Sequence, residues 1–215
     1  MSQSPDRIAS YHIVTKGGSA EITEKRSRFI ADVFAVQTVQ EAEAAIAEVS
    51  KRTWDAKHHC HAFICGMDGA LSRCSDNGEP AGTAGKPILE VIKGAGLTDT
   101  LIVVTRYFGG ILLGTGGLVR AYTQAAQAGL AASETGEMVL ARTLTLSFGY
   151  ELVGNVQYVL RTAGLPIRAE RYTAEVEYDV LVPQVRLTGL QEALVSRTDG
   201  RIRMTEGTEG YSLLS

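Results

Sequence analysis

The sequence predicts an α+β protein in two domains, residues 1–137 and 138–215. Two observations lead there. In the second half, apolar residues switch between the twofold repeat of strands and the 3.6-residue repeat of helices, in the order β-α-β-β-α-β. A polar, aperiodic stretch at 133–137 separates this half from a first half with its own strands, helices and glycine-rich region. With 215 residues, 45% hydrophobic and 21% charged, the chain has an ordinary globular composition. That argues against extensive disorder.

In the first half, residues 8–14 read as a strand, Gly17-Gly18 as a turn and 29–36 as a second strand. Thr38 and Glu41 have capping-box spacing, a hydroxyl followed three residues later by a carboxylate. Val39, Ala42, Ile46 and Val49 then share one face, so 39–52 is expected to be an amphipathic helix. Residues 60–65 read as a strand, with 71–74 as its hairpin partner. Residues 75–87 are turn-rich, 88–95 start as a short helix, and 101–107 form a buried strand. A glycine-rich loop at 114–117 precedes an Ala-rich helix at 118–132, with Leu118, Ala121, Tyr122, Ala125 and Gly129 inward.

The second half parses as a strand at 142–148, then a helix at 152–163 stopped by Gly164. Strands follow at 167–172 and 175–182, the second ended by Pro183. A helix at 185–197 presents Leu187, Leu190 and Leu194, and a last strand occupies 200–205. That order is the ferredoxin-like split βαβ unit.

Charge and cysteine usage narrow the function classes. Lys and Arg total 21 against 24 Asp and Glu, a net charge of −3. Proteins that bind nucleic acid by bulk charge are basic, so a nucleic-acid site here has to be a local patch. The basic residues of the second half are all arginine, which suits planar contacts to carboxylate or phosphate. The apolar runs at 101–104 and 111–113 are too short to span a bilayer. The first ten residues lack the apolar core of a signal peptide. Three cysteines, all between Cys60 and Cys74, do not suggest a disulfide framework. The expectation is a cytoplasmic protein with reduced thiols and no membrane partner.

Two segments are highly specific. One runs Ser75-Asp76-Asn77-Gly78-Glu79-Pro80-Ala81-Gly82-Thr83-Ala84-Gly85-Lys86-Pro87. The other runs from Val103 through Arg106-Tyr107-Phe108-Gly109-Gly110 and Gly114-Thr115-Gly116-Gly117 to Tyr122. Together they resemble the signature of the Impact/YigZ family. Lys57-His58-His59-Cys60-His61 and Lys25-Arg26-Ser27-Arg28-Phe29 look like its two weaker motifs, in the expected order. The resemblance covers about residues 20–130. It implies a ribosomal-protein-S5 domain 2 type fold for the first domain. For the second it implies a small domain like those of elongation factors. Eukaryotic relatives regulate translation through protein contacts. Asn77 stands where the family usually has a second Asp, and Ala81 where Ser is common.

The residues support several chemistries. Gly114, Thr115, Gly116 and Gly117 run into a helix, whose free N–H groups and positive end favour an anion. Arg106, Arg120 and Lys86 could add charge-assisted bonds to phosphate. The Walker lysine spacing is absent. The alternative is that these glycines only permit tight turns and close packing. Tyr107 and Phe108 are either a stacking platform for an unpaired base or core aromatics, the commoner role at a strand end. Asp76 and Glu79, with Thr83 in the same loop, offer Mg²⁺ ligands or a general base, or else turn and cap chemistry. His58 and His59 lie beside the phosphate site or simply on the surface. Zinc is not expected: Cys60 and Cys65 fall on opposite faces of a strand, and no second ligand pair accompanies His59 and His61. No Gly-x-Ser-x-Gly elbow occurs, and no cofactor is expected. The favoured function is translation-associated binding of RNA or the ribosome. The alternatives are an enzyme or sensor for a small phosphorylated metabolite or nucleotide at the same loop, or a protein-interaction module.

Overall fold

The computed structural model describes residues 8–213. They form two compact units, Tyr11–Glu137 and the residues from Met138 onward together with 8–10.

The first unit contains β1 (Ser10–Lys16), β2 (Ser19–Glu24), β3 (Ser27–Ala35), α1 (Val39–Arg52), β4 (His58–Cys65), β5 (Leu71–Ser75), α2 (Gly85–Gly94), β6 (Leu97–Thr98), β7 (Thr100–Tyr107) and α3 (Thr115–Ala131). Five strands make an antiparallel sheet in the order β2-β3-β7-β4-β5, while β1 pairs in parallel with β6. Side chains alternate along β7, so Leu101 and Val103 face one side and Ile102 and Val104 the other. Helix α1 covers the first side with Val39, Ala42, Ile46 and Val49. Helices α2 and α3 cover the second with Ile88, Ile92, Leu118, Ala121, Tyr122 and Ala125. Thr38 Oγ1 accepts the Glu41 N–H, whereas the Glu41 carboxylate returns to Gln37 N–H rather than to that of Thr38.

Several boundaries differ from the sequence expectation. β2 was not expected: Ile22 is its one large apolar residue, so its alternation is faint. β1 occupies Ser10–Lys16 rather than 8–14. Helices α2 and α3 begin three residues early, at Gly85 and Thr115, so Gly116 and Gly117 lie in the first turn of α3 and not in a loop. Packing of both helices on the sheet overrides the low helix propensity of glycine.

The second unit is built from β8 (Glu134–Phe148), α4 (Val153–Thr162), β9 (Ile167–Tyr172), β10 (Val176–Pro183), α5 (Leu187–Arg197) and β11 (Ile202–Leu213). Its strands run in the order β11-β8-β10-β9, each antiparallel to its neighbour. The core joins Leu144, Leu146 and Phe148 of β8 to Val156 and Leu160 of α4 and Leu190 and Leu194 of α5. The stretch 133–137, expected to be irregular, belongs to β8 from Glu134 onward. Its side chains are mostly exposed, and polar bonds such as Thr15 Oγ1 to Glu134 O hold it instead of an apolar stripe. β11 continues past residue 205 to Leu213 through a bulge between Glu206 and Glu209. Among the described residues no helix is long and apolar enough to cross a membrane.

Candidate anion-binding cleft

Arg106, near the end of β7, lies in register with Phe29 on β3 and His58 on β4. Register partners share a sheet face, here the one under α2 and α3. The Arg106 side chain is buried, and its Nη1 donates to Glu79 Oε1 at 2.6 Å. Tyr122 Oη donates to the same oxygen at 2.8 Å. The guanidinium carbon is 5.5 Å from the ring centroids of both Phe29 and Phe108. Arg106 Nε has no hydrogen-bond partner. The residue lines a cleft of about 520 Å³ together with Asp55, Lys57, His58, Tyr107, Phe108 and Leu112.

The walls of this cleft are tied down from several sides. His58 Nδ1 is 2.9 Å from Asn77 O. A carbonyl only accepts, so Nδ1 carries the proton and Nε2 is left as the ring acceptor. Asn77, with φ of 42°, also uses Oδ1 to accept the His59 N–H at 2.8 Å. Asn tolerates that left-handed backbone better than most residues. Tyr107 Oη donates to the Asp55 carboxylate at 2.9 Å, and burial together with Asp55 raises the phenol pKa.

Sequence expectation and structure part at several residues. Phe108 is 55% exposed and Tyr107 half-buried, so neither is a core aromatic. The chain turns away at Gly109, where a Cβ would overlap the Arg26–Ser27 backbone. Glu79 closes the turn begun at Asp76, its N–H donating to Asp76 O at 2.9 Å, and its side chain is also the buried partner of Arg106. Asp76 caps α2: its carboxylate accepts the N–H groups of Gly82, Ala84 and Gly85. Burial alone would raise its pKa, but the three N–H donors outweigh that and hold it below its ordinary value. Thr83 Oγ1 donates to Pro80 O within the same loop. His59 is absent from the cleft lining, and its Nε2 bonds Thr53 Oγ1 at 2.8 Å.

The one anion site expected from Lys86, Arg106 and the Gly114–Arg120 stretch is divided over three places. Gly114, with φ of 70°, precedes α3, whose start has neither a side-chain cap nor an acidic residue in its first turn. Gly117 and Arg120 line a separate recess of about 70 Å³ with Lys25. Lys86 lines a groove between α2 and α3. Arg106 is committed to Glu79.

Nucleophile chemistry finds no support at Cys60. Burial pushes its thiol up to about 12, and Sγ lies 2.9 Å from Asp76 O and 3.3 Å from Tyr122 Oη. Cys65 sits in the core on the opposite sheet face. Among the described residues no three His, Cys, Asp or Glu side chains group as metal ligands do.

Sequence reasoning missed Lys57, Leu112 and Trp54. Trp54 is 82% exposed and immediately precedes the cleft wall formed by Asp55, Ala56, Lys57 and His58. A signal was present: the apolar stripe of α1 at 39, 42, 46 and 49 projects onto Thr53, leaving Trp54 off the buried face.

The Impact N-terminal domain family matches residues 25–130, and a domain of unknown function, DUF1949, matches residues 146–201. IMPACT family member YvyE of Bacillus subtilis is 38% identical, covering 95% of this chain and 94% of its own. IMPACT family member YigZ of Escherichia coli is 35% identical over 84% of this chain and 89% of its own. Protein IMPACT of Mus musculus is 32% identical but shares only 43% of this chain and 30% of its own. A crystal structure described as that of a hypothetical protein has a TM-score of 0.61 at 32% identity, covering 92% of this chain and 97% of that one. The chain belongs to the IMPACT family.

Proposed function

We propose that this is a translation-associated regulatory protein of the cytoplasm that binds RNA, free or in the ribosome, through the Arg106 cleft. One observation carries the reading. Arg106 is only 6% exposed, yet its Nε lacks an acceptor while the residue lines a cleft shared with Lys57 and His58. A buried N–H without an acceptor costs roughly 1–3 kcal/mol. A phosphate oxygen relieves that cost with a charge-assisted bond. Lys57, in the same lining, adds a second cation. Phe108, half out in solvent beside the guanidinium, offers a face to an unpaired base.

The family resemblance favours the S5 domain 2 type fold for the first unit. The strand order β11-β8-β10-β9 supports the ferredoxin-like reading of the second. Neither fold assigns a function, so the proposal rests on the cleft. The test is RNA affinity as a function of salt. Binding should weaken steeply with salt, and Lys57→Ala should lower the salt slope by about one. Affinity indifferent to both would overturn the proposal. A free nucleotide is the second reading, because about 520 Å³ suits a small ligand. Thermal stabilisation by nucleotides without any RNA binding would favour it.

A further inference from the structure

We infer that Trp54 is a second base-stacking platform and that the partner of the cleft is a single-stranded RNA segment with unpaired bases. This rests on the RNA reading of the Arg106 cleft. Trp54 is the only tryptophan in the sequence and is 82% exposed. Large aromatics bury extensive surface when they can, so a tryptophan left almost wholly in water points to a missing contact. Its place in the chain says which contact. It is one residue from Asp55 and three from Lys57, both in the cleft wall. Phe108, which lines the same cleft with its ring centroid 5.5 Å from the Arg106 guanidinium carbon, is 55% exposed.

Cations in a cleft with one exposed aromatic in its lining and another next to it in the chain match the charge and surface of an unpaired strand. Phosphate meets Lys57 and Arg106, and flanking bases meet Trp54 and Phe108. A duplex keeps its bases stacked on each other and cannot cover both aromatics.

Because Trp54 is unique, its emission reports directly on this contact. The full chain is titrated with a short unstructured oligoribonucleotide, then with the same strand annealed to its complement. Affinity is followed independently by anisotropy of a fluorophore on the RNA. The single strand should quench Trp54 emission and the duplex should not. Trp54→Ala should weaken single-strand binding about tenfold, and Trp54→Phe should restore most of it. An exposed side chain is not needed for folding, so circular dichroism of both variants should match the parent. Single-strand binding with unchanged emission and unchanged Trp54→Ala affinity would overturn the inference while leaving the cleft reading intact. Equal binding of the duplex would also overturn it. No RNA binding by either probe would remove the cleft reading itself.

Discussion

Arg106 Nη1 and Glu79 Oε1 are 2.6 Å apart, with both side chains almost entirely out of water. Residues 27 apart in the sequence thus fasten the 75–87 loop to the central strand β7. Tyr122 of α3 donates to the same Glu79 oxygen, so one carboxylate joins loop, strand and helix.

The first prediction follows from that pair. Removing one partner of a buried ion pair strands the other charge, at a cost of about 3–5 kcal/mol. Glu79→Ala should therefore lower unfolding free energy by that order. Tyr122→Phe, which removes one hydrogen bond, should cost only about 0.5–1.5 kcal/mol. Replacing both partners, Glu79→Leu with Arg106→Met, should recover most of the loss. Urea unfolding of the parent, Glu79→Leu, Arg106→Met and the double variant gives the cycle, and additive losses in the double variant would show that the pair is not coupled.

Asp76 supplies the second. Its folded-state pKa lies below the ordinary 3.8 because three backbone N–H groups outweigh its burial. A depressed carboxylate contributes stability that is complete above its unfolded value and is lost as the pH falls through the folded one. The contribution is therefore present at neutral pH and fades below about pH 4. Asp76→Ala should cost about 0.5–2 kcal/mol at neutral pH, as loss of a helix cap does. The gap between parent and variant should shrink in acid. A gap that stays constant to low pH would mean the ionised carboxylate is not the source.

How much of this was legible in the sequence depends on the range of the signal. Helix α1 was readable because its cap and apolar stripe lie within 14 residues. The faces of Cys60 and Cys65 followed from strand alternation alone. The pairing of Arg106 with Glu79 was not legible, because tertiary packing brings together two residues 27 apart that local sequence presents as separate loop and strand-end positions. Phe108 was misread toward the core because a strand end gives no sign that the next residues, Gly109 and Gly110, turn the chain outward. The glycine signature mixed two roles that composition cannot separate. Gly109 and Gly85 allow backbones to touch, whereas Gly114 adopts a positive φ ahead of α3.

The third prediction concerns the second unit. Its buried cluster is drawn entirely from residues between Leu144 and Leu194, with Ile202 and Met204 packed against it. A core closed within one segment is the condition for independent folding. The fragment 138–215 should unfold cooperatively in heat and urea. Random-coil circular dichroism without a transition would show that it needs the preceding residues.

The fourth concerns Arg120. Its side chain is exposed, and its Nη1 reaches back to 4.0 Å from where a Cβ on Gly116 would stand, over the first turn of α3. A cation there meets the positive end of the helix dipole, an unfavourable placement of about 0.3–1 kcal/mol at most. The start of α3 has no side-chain cap and no acidic residue in its first turn, so the dipole gives Arg120 no stabilising role there. Arg120→Ala should leave the melting temperature unchanged or slightly raised. If Arg120 contacts an RNA phosphate, the same change should weaken binding by about 1–3 kcal/mol. Because Arg120 lies in a different recess from Arg106, its effect should add to that of Lys57→Ala. A clear fall in melting temperature with unchanged RNA affinity would make Arg120 a scaffold residue and remove the start of α3 from the binding surface.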